Sequence, residues 1–430
     1  MFRHLLVFVL LAAASASAQS VAAFDAVTKT VSAVSDEVIQ VRHQIHQSPE
    51  LGNREFKTAE LIAAHLRSLG LEVATGVAHT GVIGILKGAR PGAVVALRAD
   101  MDALPITEDT ALLFKSTVRT TYGGQDVGVS HACGHDIHVA VMLGVASVLA
   151  SMRETVAGTV MFIFQPAEEG APEGEEGGAR LMLKEGIFKT LRPDVVFGLH
   201  ANPDFAVGKI GYTSGPTNAT ASSFKAILTG KSAHAAMPNL SVDPIVMAAQ
   251  AVLGIQTIRS RNLSPFDASV ITVAQIHGGV RNNIIPTEVR LEGTVRTFSE
   301  KIDGDVERRI GEVLDGVARA AGGSYHLDYT REFPVNISDA ALVERMVPTL
   351  QRTLGAENVQ RAGPSMAADD FGLFAREVPG MFLFLGTVKP GTISGGNHTP
   401  TFLADDSSIP IGIRVMANLV LDYLRQQRPK

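Results

Sequence analysis

The chain has 430 residues, 46% of them hydrophobic and 19% charged, and a formal net charge of −5. That length allows two or three domains with a sizeable core, and the mild acidity argues against a nucleic-acid binder, which would carry basic patches. A single cysteine, Cys133, excludes an internal disulfide.

Residues Met1 to Ala18 read as an export signal. Arg3 and His4 precede the apolar run Leu5–Ala14, and Ala16-Ser17-Ala18 fits the small-x-small cleavage rule. The run is short for a bilayer span, and no cysteine near the cut offers a lipid anchor. The mature chain is therefore expected to start near Gln19, in the periplasm or the extracellular medium. After signal removal it is expected to be soluble, with no membrane segment.

An amphipathic helix is predicted over Thr28–Gln47, with Val31, Val34, Val38, Val41 and Ile45 on one face and Pro49 stopping it. A second helix, Thr58–Leu69, ends at Gly70. The short apolar runs Val82–Leu86, Ala93–Leu97, Thr159–Phe164 and Val195–Leu199 read as buried strands, and Ile137–Met152 reads as a helix between them. This alternation predicts an α/β domain around a mixed, mostly parallel sheet. Three of the strands lead into ionisable groups: Asp100 and Asp102, then Glu168 and Glu169, then His200. The carboxyl edge of such a sheet is where ligands bind.

From 215 to 329 the pattern changes. Strand Ser222–Thr229, helix Pro244–Arg259, strands Ala268–Ile276 and Thr287–Thr297, helix Val306–Ala321 and strand Ser324–Tyr329 follow in turn. The order β-α-β-β-α-β predicts a ferredoxin-like α+β domain inserted into the first. The predicted organisation is a signal peptide (1–18), a first catalytic part (19–214), the insert (215–329) and a second catalytic part (330–430) carrying His398.

The chemistry concentrates around His131-Ala132-Cys133-Gly134-His135-Asp136-Ile137-His138. A thiolate and imidazoles at this spacing suit a borderline-soft metal ion. With Asp100, Asp102, Glu168, Glu169, His200 and His398 the candidates exceed the four ligands of one structural zinc. Two divalent ions would use nearly all of them, polarise a carbonyl and activate water, which describes a hydrolase. The pair Glu168-Glu169 suggests one carboxylate on metal and one free to carry protons.

Six segments resemble the M20 metallopeptidases, closest to the aminoacylase, hippurate hydrolase and auxin-conjugate hydrolase branch. They are Arg98–Pro105, His131–His138, Gln165–Gly170, Gly198–His200, Gly230–His234 and Asn397–Pro400, and they occur in family order. The resemblance covers about Ile39 to Leu424. It implies a dinuclear centre with Cys133, His135, Glu169, His200 and His398 as metal ligands and Glu168 as general base. Manganese or zinc is the expected metal, with nickel or cobalt as alternatives. Cys133 stands where many relatives carry a bridging aspartate, and Asp100 where they carry a ligating histidine, so no ligand role is carried over to Asp100. Asp102 is expected to orient a ligand. Two departures from the family pattern, Thr399 for serine and Asp369 for glutamate, remove no ligand.

The resemblance also implies a homodimer through the inserted domain, with His234 reaching the partner subunit's active site and Asn283 gripping substrate. Arg296 is a candidate clamp for a substrate carboxylate, or a sheet-surface arginine. His43, His46, His79 and His277 are expected to be structural, and His131 and His138 to pack around the ligands. The expected reaction is hydrolysis of the amide bond of N-acyl amino acids (N-acetyl, hippurate-like or indole-acetyl conjugates). A dipeptidase or carboxypeptidase of the same family is the nearest alternative. A cysteine hydrolase with Cys133 as nucleophile and a catalytically silent binding protein are the others.

Overall fold

The computed structural model describes residues 2–427, with side chains described for 24–427. The expected leader, Met1–Ala18, lies outside the described side chains. Among the described residues, no helix is long and apolar enough to cross a membrane.

The chain divides into two compact units. The first comprises Met1–Gly215, Ser338–Ala362 and Phe374–Lys430, and the second Pro216–Ile337 and Gly363–Leu373. The second unit thus begins beside the boundary read at 215. It ends at Ile337, beyond 329, and recovers a short later segment.

The first unit is built on an eight-stranded sheet. In spatial order its strands are Glu72–Val77, Gly81–Lys87, Ala157–Gln165, Arg90–Asp100, Val195–Ala206, Gly380–Val388, Ile210–Tyr212 and Val359–Arg361. The four central strands run parallel, and antiparallel pairs flank them. The mixed, mostly parallel α/β sheet expected from the alternation is present. Parallel strands must be covered on both faces, which explains their near-continuous apolar runs. The helix His135–Ser151 shows the extreme case: every residue from His135 to Leu149 is buried. It packs against the helices Phe2–Gln47 and Ser408–Gln426 as well as the sheet.

The second unit has four antiparallel strands in the order Ser269–Gly278, Glu288–Thr297, Ala221–Thr229, Ser324–Phe333. Residues alternate along Ala221–Thr229 and Glu288–Thr297, so Phe224, Ala226, Leu228, Val289, Leu291 and Val295 form one buried face. Met247 and Ile255 from the helix Pro244–Thr257, and Val306, Ile310 and Leu314 from Glu300–Ala321, complete that core. Asp243 and Ser299 cap these helices through Ile245 N and Ile302 N. The β-α-β-β-α-β order predicted for the insert is the order of these elements.

Candidate metal centre

The site forms at the carboxyl end of the central parallel strands. Asp100 ends its strand opposite Gln165, and Pro166–Glu169 continues from there. His200 differs from expectation. It lies inside the strand Val195–Ala206, because pairing with Gly380–Val388 carries that strand onward. Pairing with the Arg90–Asp100 strand stops at Gly198, so His200 still emerges at the edge where the other candidate donors gather. Such a crevice beyond the carboxyl ends of parallel strands is the usual binding position in open α/β sheets.

Cys133 and His135 flank Gly134, whose φ of +89° turns the chain into the buried helix. A Cβ at Gly134 would lie 2.7 Å from the Ala201 Cβ, so a side chain there would displace the His200 strand. His398 arrives on the loop after Gly380–Val388, itself at φ +63°. Its backbone N–H donates to Ala132 O at 2.9 Å. The Asn397 amide donates to Cys133 O at 3.2 Å and to Cys133 Sγ at 3.5 Å.

Three overlapping sets of donor atoms lie within 4.8 Å of one another: Cys133, His135 and His200; Cys133, Glu169 and His398; and His135, Glu168 and Glu169. Cys133 Sγ is 3.5 Å from His200 Nε2, and His398 Nε2 is 2.9 Å from Glu169 Oε1. The structure therefore brings together all five ligands implied by the resemblance, with Glu168 beside them.

The rings are aimed by their second nitrogens. His135 Nδ1 is 2.8 Å from Asp102 O, and His200 Nδ1 is 2.8 Å from Ala201 O, so each Nε2 faces the cluster. Asp102 Oδ1 lies 3.2 Å from the same His135 nitrogen and its Oδ2 accepts the Glu169 backbone N–H at 2.9 Å, so one carboxylate holds two of the donor residues. Asp100 borders the cluster, with Oδ2 3.8 Å from His135 Nε2, but its carboxylate is already partnered. Its Oδ2 pairs with Arg98 Nη1 at 2.6 Å and its Oδ1 with His138 Nδ1. His138 Nε2 accepts Ala201 N–H at 2.7 Å, so this histidine is fully engaged in packing. His131 is buried with no partner on either ring nitrogen, and burial pushes it down to about 3.

Electrostatics mark the donor set as one short of cations. Burial raises the Cys133 thiol far above its usual range, and Glu169, Glu168 and Asp100 add to this. Burial opposes charge on His135, but Asp100 and Asp102 outweigh it and push the ring up to about 10. His135 Nε2 is buried with no hydrogen-bond partner, 3.8 Å from Glu169 Oε1 and 3.9 Å from Glu168 Oε2. A soft thiolate, three imidazoles and a carboxylate with an unpartnered inward nitrogen fit divalent metal ions.

The remaining expected residues lie in the second unit. His234 pairs across a short ladder with Ile284, and Ala235 N donates to Asn283 O at 3.1 Å, which makes His234 and Asn283 neighbours on an exposed turn. Arg296 Nη1 donates to Val295 O at 3.0 Å, a use within its own sheet. His43 stacks on Phe114 and reaches Asp406, and His46 sits between Asp136 and Glu108. His79 contacts Glu176 O, and His277 contacts Gln275. Two residues were missed from sequence. Asn397 had a signal, its place beside His398. Glu55 had none, because its significance lies in the backbone it touches.

This fold and this donor cluster define a metal-dependent amidohydrolase. The chain belongs to peptidase family M20/M25/M40, whose model matches residues 96–422. It is 34% identical to thermostable carboxypeptidase 2 of Saccharolobus solfataricus, covering 91% of this chain and 97% of that one. It is 35% identical to an IAA-amino acid hydrolase of Arabidopsis thaliana (92% and 87% covered) and to the N-acetyl-L-cysteine deacetylase of Bacillus subtilis (88% and 86%). Among solved structures it resembles a dinuclear metal-binding M20 peptidase of Bacillus subtilis, with TM-score 0.78 and 32% identity, covering 92% of this chain and 99% of that one.

Proposed function

We propose that the protein hydrolyses the amide bond of small N-acyl amino acids, using two divalent metal ions and Glu168 as general base. The observation that carries this reading is the convergence of Cys133, His135, Glu169, His200 and His398 with Glu168 at one sheet edge. Relatives that act on amino-acid conjugates and on an N-acetyl amino acid support it. Metal ions held by those five residues would polarise the scissile carbonyl and acidify a water. Glu168 takes the proton of the attacking water and returns it to the departing amine. His234, beside Asn283, donates to the oxyanion of a partner subunit's substrate. Arg296 is left as a weaker candidate for the substrate carboxylate.

A nucleophilic thiol needs a depressed pKa, and the surroundings of Cys133 push the other way. The thiolate favours zinc, while the carboxylate and imidazoles also suit manganese, nickel or cobalt. A homodimer through the second unit is supported by its exposed apolar residues: Val246 and Leu253 on one helix, Val270 and Ile276 on an edge strand. Export is supported by the leader alone, and N-terminal sequencing of secreted material is expected to begin near Gln19.

The test is a screen of metal-loaded protein against N-acetyl, N-benzoyl and indole-acetyl amino acids and dipeptides, with released amino acid measured. Chelation is expected to abolish release and added metal to restore it. Release that survives chelation, or a preference for dipeptides over every N-acyl amino acid, overturns the proposal.

A further inference from the structure

The segment after the first helix carries a buried glutamate that the reaction above does not use. Glu55 is fully buried. Its Oε1 accepts the Ala167 backbone N–H at 2.9 Å, and its Oε2 receives the Thr80 hydroxyl at 2.5 Å. Ala167 immediately precedes Glu168 and has φ of +49°, a left-handed conformation that residues with a Cβ rarely adopt. Such a backbone persists only where its surroundings over-determine it.

The neighbours of Glu55 are shaped to the same loop. A Cβ on Gly52 would lie 2.4 Å from Gly170 O and 3.1 Å from Ala167 Cα. Asn53, also left-handed at φ +58°, donates its amide to Glu176 O at 3.0 Å and to Glu175 Oε2 at 3.1 Å. The loop bearing Glu168 and Glu169 is thus gripped near both its ends by Gly52–Glu55. Burial, with the charge of Asp102, pushes Glu55 up to about 8. A glutamine at 55 keeps an acceptor oxygen for the Ala167 N–H, and its amide can bond the Thr80 hydroxyl with that hydroxyl as acceptor.

We propose that Glu55 is a positioning residue: it holds Ala167 in the left-handed region and thereby aims Glu168 and Glu169 into the cluster. The inference rests on the reading of Glu168 as base and Glu169 as ligand.

The test is steady-state kinetics of metal-loaded Glu55→Ala, Glu55→Gln, Ala167→Gly and the double variant Glu55→Ala/Ala167→Gly. Metal affinity is titrated into each apo protein, and Glu168→Ala is run alongside. Glu55→Ala is expected to lower kcat about thirtyfold with KM changed less than about threefold, and to weaken metal affinity about tenfold. Glu55→Gln is expected to stay within about threefold of wild type in kcat. Glycine adopts positive φ freely, so the double variant is expected to regain about tenfold of the lost kcat. A buried glutamate of purely structural importance would lower the melting temperature without that recovery. Wild-type kcat in Glu55→Ala, or a double variant as slow as Glu55→Ala, overturns the proposal. If Glu55→Ala does not fold, the near-isosteric Thr80→Val decides: an unchanged kcat overturns the proposal, and a threefold loss recovered by Ala167→Gly supports it. Turnover surviving in Glu168→Ala would sink the base reading instead. The coupling between positions 55 and 167 is read only in proteins that keep Glu168, so the two failures give different patterns.

Discussion

The two units handle buried polarity in opposite ways. In the second unit, buried Asp303 is answered in full: Ser222, Tyr329 and Arg331 all contact its carboxylate. Its strands alternate regularly. Among the described residues, none of its non-glycine positions has positive φ. In the first unit, Asn53, Ala78, His79, Ala167 and His398 all do, and acids crowd Cys133 and His135. Two of these positive-φ residues, Ala167 and His398, belong to the segments that carry the donor cluster, where backbone strain and crowded acids coincide.

The contrast can be broken or sharpened by experiment. The largest effect is expected at Glu168. Glu168→Gln should lower kcat about 10^3-fold with metal content unchanged, measured by turnover and elemental analysis. Next comes the regular core, where Leu291→Ala should destabilise the second unit by about 3 kcal/mol in denaturant unfolding. A much smaller loss would mean that unit is not packed as tightly as its burial shows.

The pH profile separates the units further. Burial opposes charge on His46, yet Asp136 and Glu108 push it up to about 9 from 6.5. Because the folded value is the higher one, this stabilisation is complete below pH 6.5. It is lost as pH rises through about 9, with a span of roughly 3 kcal/mol. His46→Gln should flatten the dependence of unfolding free energy on pH across that window. Asp102→Ala should weaken metal affinity about 10–100-fold by removing the Oδ1 contact to His135 Nδ1 and freeing the Glu169 backbone N–H, as read by metal titration. The smallest effect belongs to an exposed pair on the second unit. Arg309→Ala removes its contact with Glu312 and should leave the denaturant midpoint unchanged within error, because solvent screens so exposed a pair.

Much of the fold was legible because burial writes itself into apolar runs. Val82–Leu86, Thr159–Phe164 and the six elements of the insert fall inside observed elements or within a few residues of their ends. Polar strand residues hid the rest. The strand beginning at Arg90 opens with exposed residues, and Val195–Ala206 continues through Asn202 and Asp204 because a neighbour pairs with it. The helices Ala340–Leu354 and Ser408–Gln426 and the strand Gly380–Val388 were not assigned from sequence, although each carries a strong apolar content. At the site, residue type and spacing marked a wider set of candidates, and the resemblance to the M20 family narrowed it to five expected ligands. The orienting work of Asp102 was expected, but that of Glu55 and Asn397 depends on backbone atoms that sequence does not display.

The strand Gly380–Val388 wedges between Val195–Ala206 and Ile210–Tyr212, which are consecutive in the chain. During synthesis those two segments must wait, unzipped from their eventual neighbour, until nearly the whole polypeptide has left the ribosome. The ring of His398 follows that late strand by ten positions. A chain cut short before Gly380 would lack both a central strand of the sheet and His398, one of the candidate donors.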